Sequence, residues 1–177
     1  MSSSAGIIII GDEILSGRTK DSNINWIANE LNEIGIKLKE ARVIEDDKKT
    51  IINTVLEFSK KFTYVFTSGG IGPTHDDITT ESIAAAFQVD LEKNKIAMNL
   101  LKKHYEKSNI DFNEARQKMA IIPKGALLIE NPVSVAPGFN IKNVYVFAGI
   151  PKIMQSMFHS ISSKLEGGII IKSKTIT

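Results

Sequence analysis

Residues 62–82, Phe-Thr-Tyr-Val-Phe-Thr-Ser-Gly-Gly-Ile-Gly-Pro-Thr-His-Asp-Asp-Ile-Thr-Thr-Glu-Ser, constrain the fold more than any other stretch. The segment opens as a buried strand over 62–67, rich in aromatic and β-branched residues. It closes as a helix, with Thr79 in the cap position and Glu81 in the first turn beside the positive end of the dipole. Between strand and helix lie Gly69, Gly70 and Gly72, which let the backbone approach a ligand and turn N–H groups toward phosphate. Asp76 and Asp77 add two carboxylates at the place where an anion would sit, an arrangement that suits a hard divalent cation bridging carboxylate and phosphate oxygens. A tight turn with aspartate caps is the plainer alternative.

The rest of the first half repeats the strand–helix alternation. Ile7–Ile10 is an unbroken apolar run, as expected of a central parallel strand covered on both faces. It gives way to Gly11, Asp12 and Glu13 and a polar loop to Lys20. Asp21 or Ser22 can cap a helix carrying Ile24, Ile27, Leu31 and Ile34 on one stripe, stopped by Gly35. Residues 36–44 read as a second strand, Asp46 or Asp47 as the cap of a helix bearing Ile51, Ile52, Val55 and Leu56. Alternation with short connections predicts an α/β fold, a three-layer sandwich with a mostly parallel sheet.

The second half is less regular. Helices are expected over 94–107 and 113–119, a strand over 126–129 and a hairpin of 139–141 with 144–147 turning at Lys142-Asn143. Pro132 and Pro137 stiffen the loop 131–138, and Gly149-Ile150-Pro151 opens a last helix. The stretch 1–166 is read as one domain, and 167–177 as a strand-like tail that could begin a further, truncated domain.

Ligands of open parallel sheets bind beyond the carboxyl ends of the strands. Gly11, Asp12, Glu13, Asp46, Asp47, the segment Ser68 to Asp77, and Gly149 all fall at such ends. No dinucleotide fingerprint is present, because His75 stands where its third glycine would be, and no strand is followed by a P-loop or a nucleophile elbow. His75, His104 and His159 lack ligand spacing, and Trp26 reads as core. Zero cysteines exclude disulfides and zinc–thiolate sites, and a net charge of +2 gives no electrostatic case for nucleic acid or membrane. The only early apolar run is too short for a signal peptide or a span, so a cytoplasmic protein is expected.

Four stretches, taken in order, resemble the molybdopterin-binding (MoaB/MogA/CinA-like) domain family. They are Gly-Asp-Glu-Ile-Leu-Ser-Gly (11–17) with Asp21 and Asn23, Glu-Asp-Asp-Lys-Lys-Thr-Ile (45–51), Gly-Gly-Ile-Gly-Pro-Thr-His-Asp-Asp-Ile-Thr (69–79) and Ala-Pro-Gly-Phe (136–139). Within it the match is nearest to the CinA amino-terminal branch and the similar domain of eukaryotic FAD synthases. The resemblance implies an α/β/α fold and a site for a pterin or nucleotide phosphate. By motif it implies catalytic roles for Asp46 and Asp77, with Asp76 beside them. It implies a phosphate- and pterin-binding loop of Gly69, Gly70 and Gly72 with Thr74, to which Gly11, Ser68, Pro73 and Gly149 at the strand ends are added as candidate substrate contacts. A divalent metal (Mg, Mn or Co) would be held by Asp76, Asp77 and Asp46, with Glu13 or Asp12 as a further ligand or base. The expected activity is hydrolysis of a nucleotide diphosphate such as ADP-ribose or FAD. The alternatives are a molybdopterin-binding module or an adenylyltransferase-like protein of molybdenum cofactor biosynthesis, or a domain kept for homo-oligomer contacts. The chain departs from the family at Ser134-Val135, where the motif has Gly-Thr, and at Ala148 and Ile153, where it has Pro and Glu.

Overall fold

The computed structural model describes residues 3–168; the strand-like reading of the tail falls outside them. Strand β1 (Ser4–Ile10) is followed by a one-turn helix α1 (Asp12–Leu15), helix α2 (Asn23–Glu33) and strand β2 (Lys37–Ile44). Helix α3 (Lys48–Lys61), strand β3 (Tyr64–Ser68) and helix α4 (Thr79–Ala86) complete the first half. Then come β4 (Leu91–Lys93), α5 (Lys95–Lys107), α6 (Glu114–Gln117), β5 (Ile121–Pro123), β6 (Leu127–Ile129), β7 (Gly138–Ile141), β8 (Val144–Phe147) and α7 (Pro151–Ile161).

The main sheet has the order β2-β1-β3-β8-β7-β6. β2, β1, β3 and β8 run parallel, and β7 and β6 continue antiparallel. The central strand β1 explains its own sequence. Ile8 and Ile10 face one layer, where Ile51, Val55 and Phe58 of α3 and Ile83 of α4 cover them. Ile7 and Ile9 face the other, against Ile27 and Leu31 of α2 and Met154, Met157 and Phe158 of α7. The three-layer α/β/α expectation therefore holds. Phe66 stacks on Phe147 at 5.8 Å and meets Phe158 edge-on, and each such fully buried side chain contributes about 1.5–3 kcal/mol of transfer free energy.

Several element limits differ from the reading of the sequence. The third strand is shifted, because Phe62 caps the C-terminus of α3 and turns its ring into the core instead of pairing. Thr79 is the first residue of α4, Ile78 standing in the cap position. A single turn, α1, interrupts the loop expected after Gly11. The helix expected over 113–119 is α6 followed by a 3-10 turn, Lys118–Ala120. The antiparallel ribbon β4–β5 has no counterpart among the expected elements, since Leu-Glu-Lys is too short and too exposed to show a period.

Register brings the carboxyl ends of the parallel strands level. Ile10 pairs with Ile44, Ile9 with Ser68, and Ser68 with Phe147. The segments that follow, starting at Gly11, Glu45, Gly69 and Ala148, thus leave one edge of the sheet together.

Candidate functional site

At that edge the loop after β3 is clamped from below. Gly69 donates its N–H to Phe147 O at 3.1 Å, and Thr79 Oγ1 donates to Gly69 O at 2.9 Å. The Thr79 N–H reaches Gly70 O at 3.0 Å. Gly69 and Gly70 take φ values of 111° and 71°, and a Cβ on either would collide with Ile10 O or Thr79 Oγ1 respectively. The missing side chains are what let the loop lie flat across the strand ends.

Further along, the loop folds onto Asp77. Its Oδ2 accepts from the Thr74 N–H at 2.8 Å and from Thr74 Oγ1 at 2.5 Å. Lys118 completes the arrangement from a distant part of the chain, its Nζ donating to Thr74 O at 3.0 Å and Asp77 O at 2.6 Å. Nothing local in the sequence points to Lys118, which reaches the loop only because the 3-10 turn before β5 packs beside it.

Across from the loop, Asp12 and Asp46 hold each other reciprocally. Asp46 Oδ2 accepts from the Asp12 N–H at 3.0 Å, and Asp12 Oδ1 from the Asp46 N–H at 3.2 Å. Two backbone amides thereby join the ends of β1 and β2. Asp47 is the cap of α3, accepting from Thr50 N at 2.8 Å and Thr50 Oγ1 at 2.9 Å. The choice the sequence left open is settled: Asp47 caps, and Asp46 faces the cleft.

The result is a cleft of about 620 Å³. Asp12, Glu13, Asp46, Asp76, Asp77 and Glu81 line it, with Arg18 and Lys118 as its basic side chains and His75 at the rim. Partial burial raises the Asp46 carboxyl above the usual aspartate range, and the charges of Asp12, Glu13 and Asp77 push it further, against the lowering pull of the Asp12 N–H. Among the described residues, no basic side chain stands within ion-pair distance of Asp12, Glu13, Asp46, Asp76 or Asp77. Nor do any three carboxylate or histidine groups among them come close enough to hold a metal by themselves. The donor set is nonetheless hard oxygen, which fits Mg²⁺-type binding by one or two carboxylates plus phosphate oxygens and water.

The other expected ligand-contacting residues are distributed unevenly. Gly70 and Thr74 line the acidic cleft. Gly69, Gly72, Ala148 and Gly149 line an adjoining cleft of about 360 Å³, into which Glu13 and Asp77 also face. Gly11 lies buried beneath, its N–H on Ile44 O at 3.1 Å. Pro73 sits exposed on the crest of the loop. Ser68 turns inward: its Oγ accepts from Asn23 Nδ2 at 2.9 Å and donates to Ala148 O at 3.2 Å, tying β3 to β8. Ile153, in the first turn of α7, packs half-buried against the core, and Val135 lines a separate groove with Ile96 and Leu100 of α5.

The split between the neighbouring aspartates is testable. Asp47→Ala should lower the melting temperature by a few degrees at neutral pH and leave ligand binding unchanged. Capping holds the Asp47 carboxyl below its ordinary value, so this contribution is present above the ordinary aspartate pKa and is lost as pH falls through the depressed one. Melting curves of both proteins should therefore converge on acidification; a gap that persists in acid would contradict the cap.

A family model described as "Probable molybdopterin binding domain" matches residues 6–166. A curated protein of Sulfurisphaera tokodaii is 38% identical over 165 residues, covering 90% of this chain and 63% of that one. A protein of Pyrococcus abyssi is also 38% identical over 165 residues, covering 86% and 66%. The chain thus spans less than two thirds of the length of these relatives. Among solved structures, one described as the protein CinA with unknown function, from Thermoplasma acidophilum, superposes with a TM-score of 0.84 at 34% identity, covering 92% of this chain and 98% of that one. The molybdopterin biosynthesis enzyme MoaB of Thermus thermophilus gives 0.62 at 14% identity, covering 92% and 91%, which shows the shared fold alone.

Proposed function

The chain belongs to the probable molybdopterin binding domain family, and from that premise we propose that its acidic cleft binds a nucleotide diphosphate, such as ADP-ribose or FAD, and hydrolyses the pyrophosphate bond with a divalent cation. The observation that carries the proposal is Asp46. Its carboxyl is raised by burial and by three acidic neighbours, with no basic side chain paired to it among the described residues. Such a group is poised to share a cation with phosphate oxygens, or to take up a proton more readily than an ordinary aspartate.

Asp46 and Asp77, with Asp76 at the mouth, would hold Mg²⁺, Mn²⁺ or Co²⁺ together with phosphate oxygens. A bound ion supplies charge neutralisation and polarisation of the phosphoryl oxygen. The remaining work belongs to the chain. The glycine loop lies flat across the strand ends, because no Cβ on Gly69 or Gly70 presses on Ile10 O or Thr79 Oγ1, and its outer face is left to the phosphates. Thr74 orients the Asp77 carboxylate, and Lys118 holds the loop carbonyls in place. Glu13 or Asp12, both exposed to the cleft, is the candidate to take the proton of the attacking water.

A second reading is supported by a different observation. The matching family model is described as a probable molybdopterin binding domain, which suits a pterin-binding module, or an adenylyltransferase-like protein, of molybdenum cofactor biosynthesis. One assay separates the readings. Protein is incubated with ADP-ribose, FAD and NAD, with each of the three cations or with chelator, and products are resolved by chromatography. AMP released only with cation supports the hydrolase; intact substrates throughout favour the pterin module. The relatives' greater length makes any activity of a longer protein part of the same proposal.

A further inference from the structure

Behind the glycine loop the acidic cleft runs on into a second cavity of about 200 Å³. Asp77, Glu81 and Lys118 line both. Past these three the wall is Ile71 from the loop, Thr80 from α4, Leu91 from β4 and Ile121 from β5, apolar but for one hydroxyl. Leu91 pairs with Pro123 and Lys93 with Ile121, so the alternation of the ribbon puts Leu91 and Ile121 on the same face. All three residues of β4 are exposed, and Leu91, its one apolar residue, is 41% accessible beside a charged cleft. Gly72 contributes bare backbone, since a Cβ there would stand 2.7 Å from the Asp77 carboxylate.

The two cavities divide the requirements of one amphipathic ligand. Sites for small molecules combine mostly apolar walls with a few placed polar groups. The acidic cleft alone supplies only the polar part and would not favour burial of a ring. We infer that the second cavity takes the planar heterocycle of a nucleotide whose diphosphate lies in the acidic cleft, gripping the ring by its faces without reading its edge. This rests on the nucleotide reading above and specifies its substrate class. Ile71, Leu91 and Ile121 offer surface and no hydrogen bonds, and the Thr80 hydroxyl, able to donate or accept, does not distinguish one ring edge from another. Lys118 already gives two of its three donors to Thr74 O and Asp77 O. A slot of this kind accepts adenine, hypoxanthine or a flavin alike.

The test uses the full chain and three probes, Mg·ADP, Mg·IDP and Mg·pyrophosphate, titrated by calorimetry. ADP and IDP should bind within about threefold of each other, and both more tightly than pyrophosphate. Because Leu91 is exposed, Leu91→Ser should fold normally, weaken ADP and IDP about tenfold and leave pyrophosphate within about twofold, the scale expected for loss of an apolar contact to substrate. Three results would overturn the inference: equal losses for all three probes, no loss for ADP, or ADP and IDP differing more than tenfold in the wild type. The hydrolase reading fails separately. Ring-dependent binding with no product keeps the cavity assignment and removes the hydrolase; turnover with affinity indifferent to Leu91 does the reverse. Failure of both ADP and pyrophosphate to bind with Mg²⁺ sinks the two together.

Discussion

Asp46→Asn should cut cation-dependent turnover by roughly 10²–10⁴-fold, the range associated with loss of a positioned acid–base or charge-handling group, while leaving the free protein at least as stable as wild type. The second half of that expectation follows from linkage. The Asp46 carboxyl is raised in the folded state, chiefly by burial. Between its ordinary and raised pKa values the folded state therefore binds more protons than the unfolded one. Stability must then fall as pH rises through that window, from about 4 upward. Asparagine keeps an acceptor for the Asp12 N–H and removes the charge. Its advantage should be absent in strong acid and complete above the raised pKa. Mg²⁺ with ADP should raise the melting temperature of the wild type and have little effect on the variant. A ligand-free variant that melts many degrees lower would instead make Asp46 a structural tie between β1 and β2.

Gly69→Ala is expected to be the most damaging single change in the loop, at about 3–5 kcal/mol from backbone strain and overpacking combined. Its φ of 111° is one that L-residues rarely adopt, and the new methyl would press on the carbonyl of Ile10 at the end of the central strand. That carbonyl has layers on both sides and cannot yield. Gly17→Ala provides the control: φ is 75°, yet nothing lies within 4 Å of the added Cβ, so only the conformational cost of about 1–2 kcal/mol applies. Denaturant titrations of the two variants at a common slope should differ in midpoint accordingly. Equal, mild effects would mean that the loop relaxes and is not clamped by the strand ends. Since domains are typically stable by about 5–15 kcal/mol, the loss at Gly69 is a large fraction of the whole.

What can be read from the chain alone divides along physical lines. The Ile7–Ile10 run announces a strand buried on both faces because no polar residue interrupts it, and β1 is that strand. Glycine-rich loops and paired carboxylates are visible as residue types, so the acidic cleft is foreseeable in outline. Its finer assignments depend on contacts between distant segments. Asp46 and Asp47 are equivalent as letters, and only the path of α3 makes one a cap and the other a cleft wall. Ser68 reads as a ligand contact in the sequence, whereas its hydroxyl lies between Asn23 and Ala148, residues that register brings together from 45 and 80 positions away. Lys118 and the β4–β5 ribbon leave no local periodic trace, so the apolar extension of the cleft is invisible without the fold. Short exposed elements carry little pattern, and their place is decided by what they pack against.

The order of the strands has a consequence for assembly. Every acidic residue of the cleft is translated before the chain reaches residue 82, and β1, β2 and β3 pair among themselves across short crossovers. The far edge of β3, by contrast, must wait for Val144–Phe147, some 75 residues later, and Phe66 waits with it for Phe147 and Phe158. Closing so long a loop adds a slow, non-local step to folding. Until it closes, a nascent chain presents an apolar strand edge to its neighbours on the polysome, which makes the interval between synthesis of β3 and β8 the period when it is most exposed to aggregation.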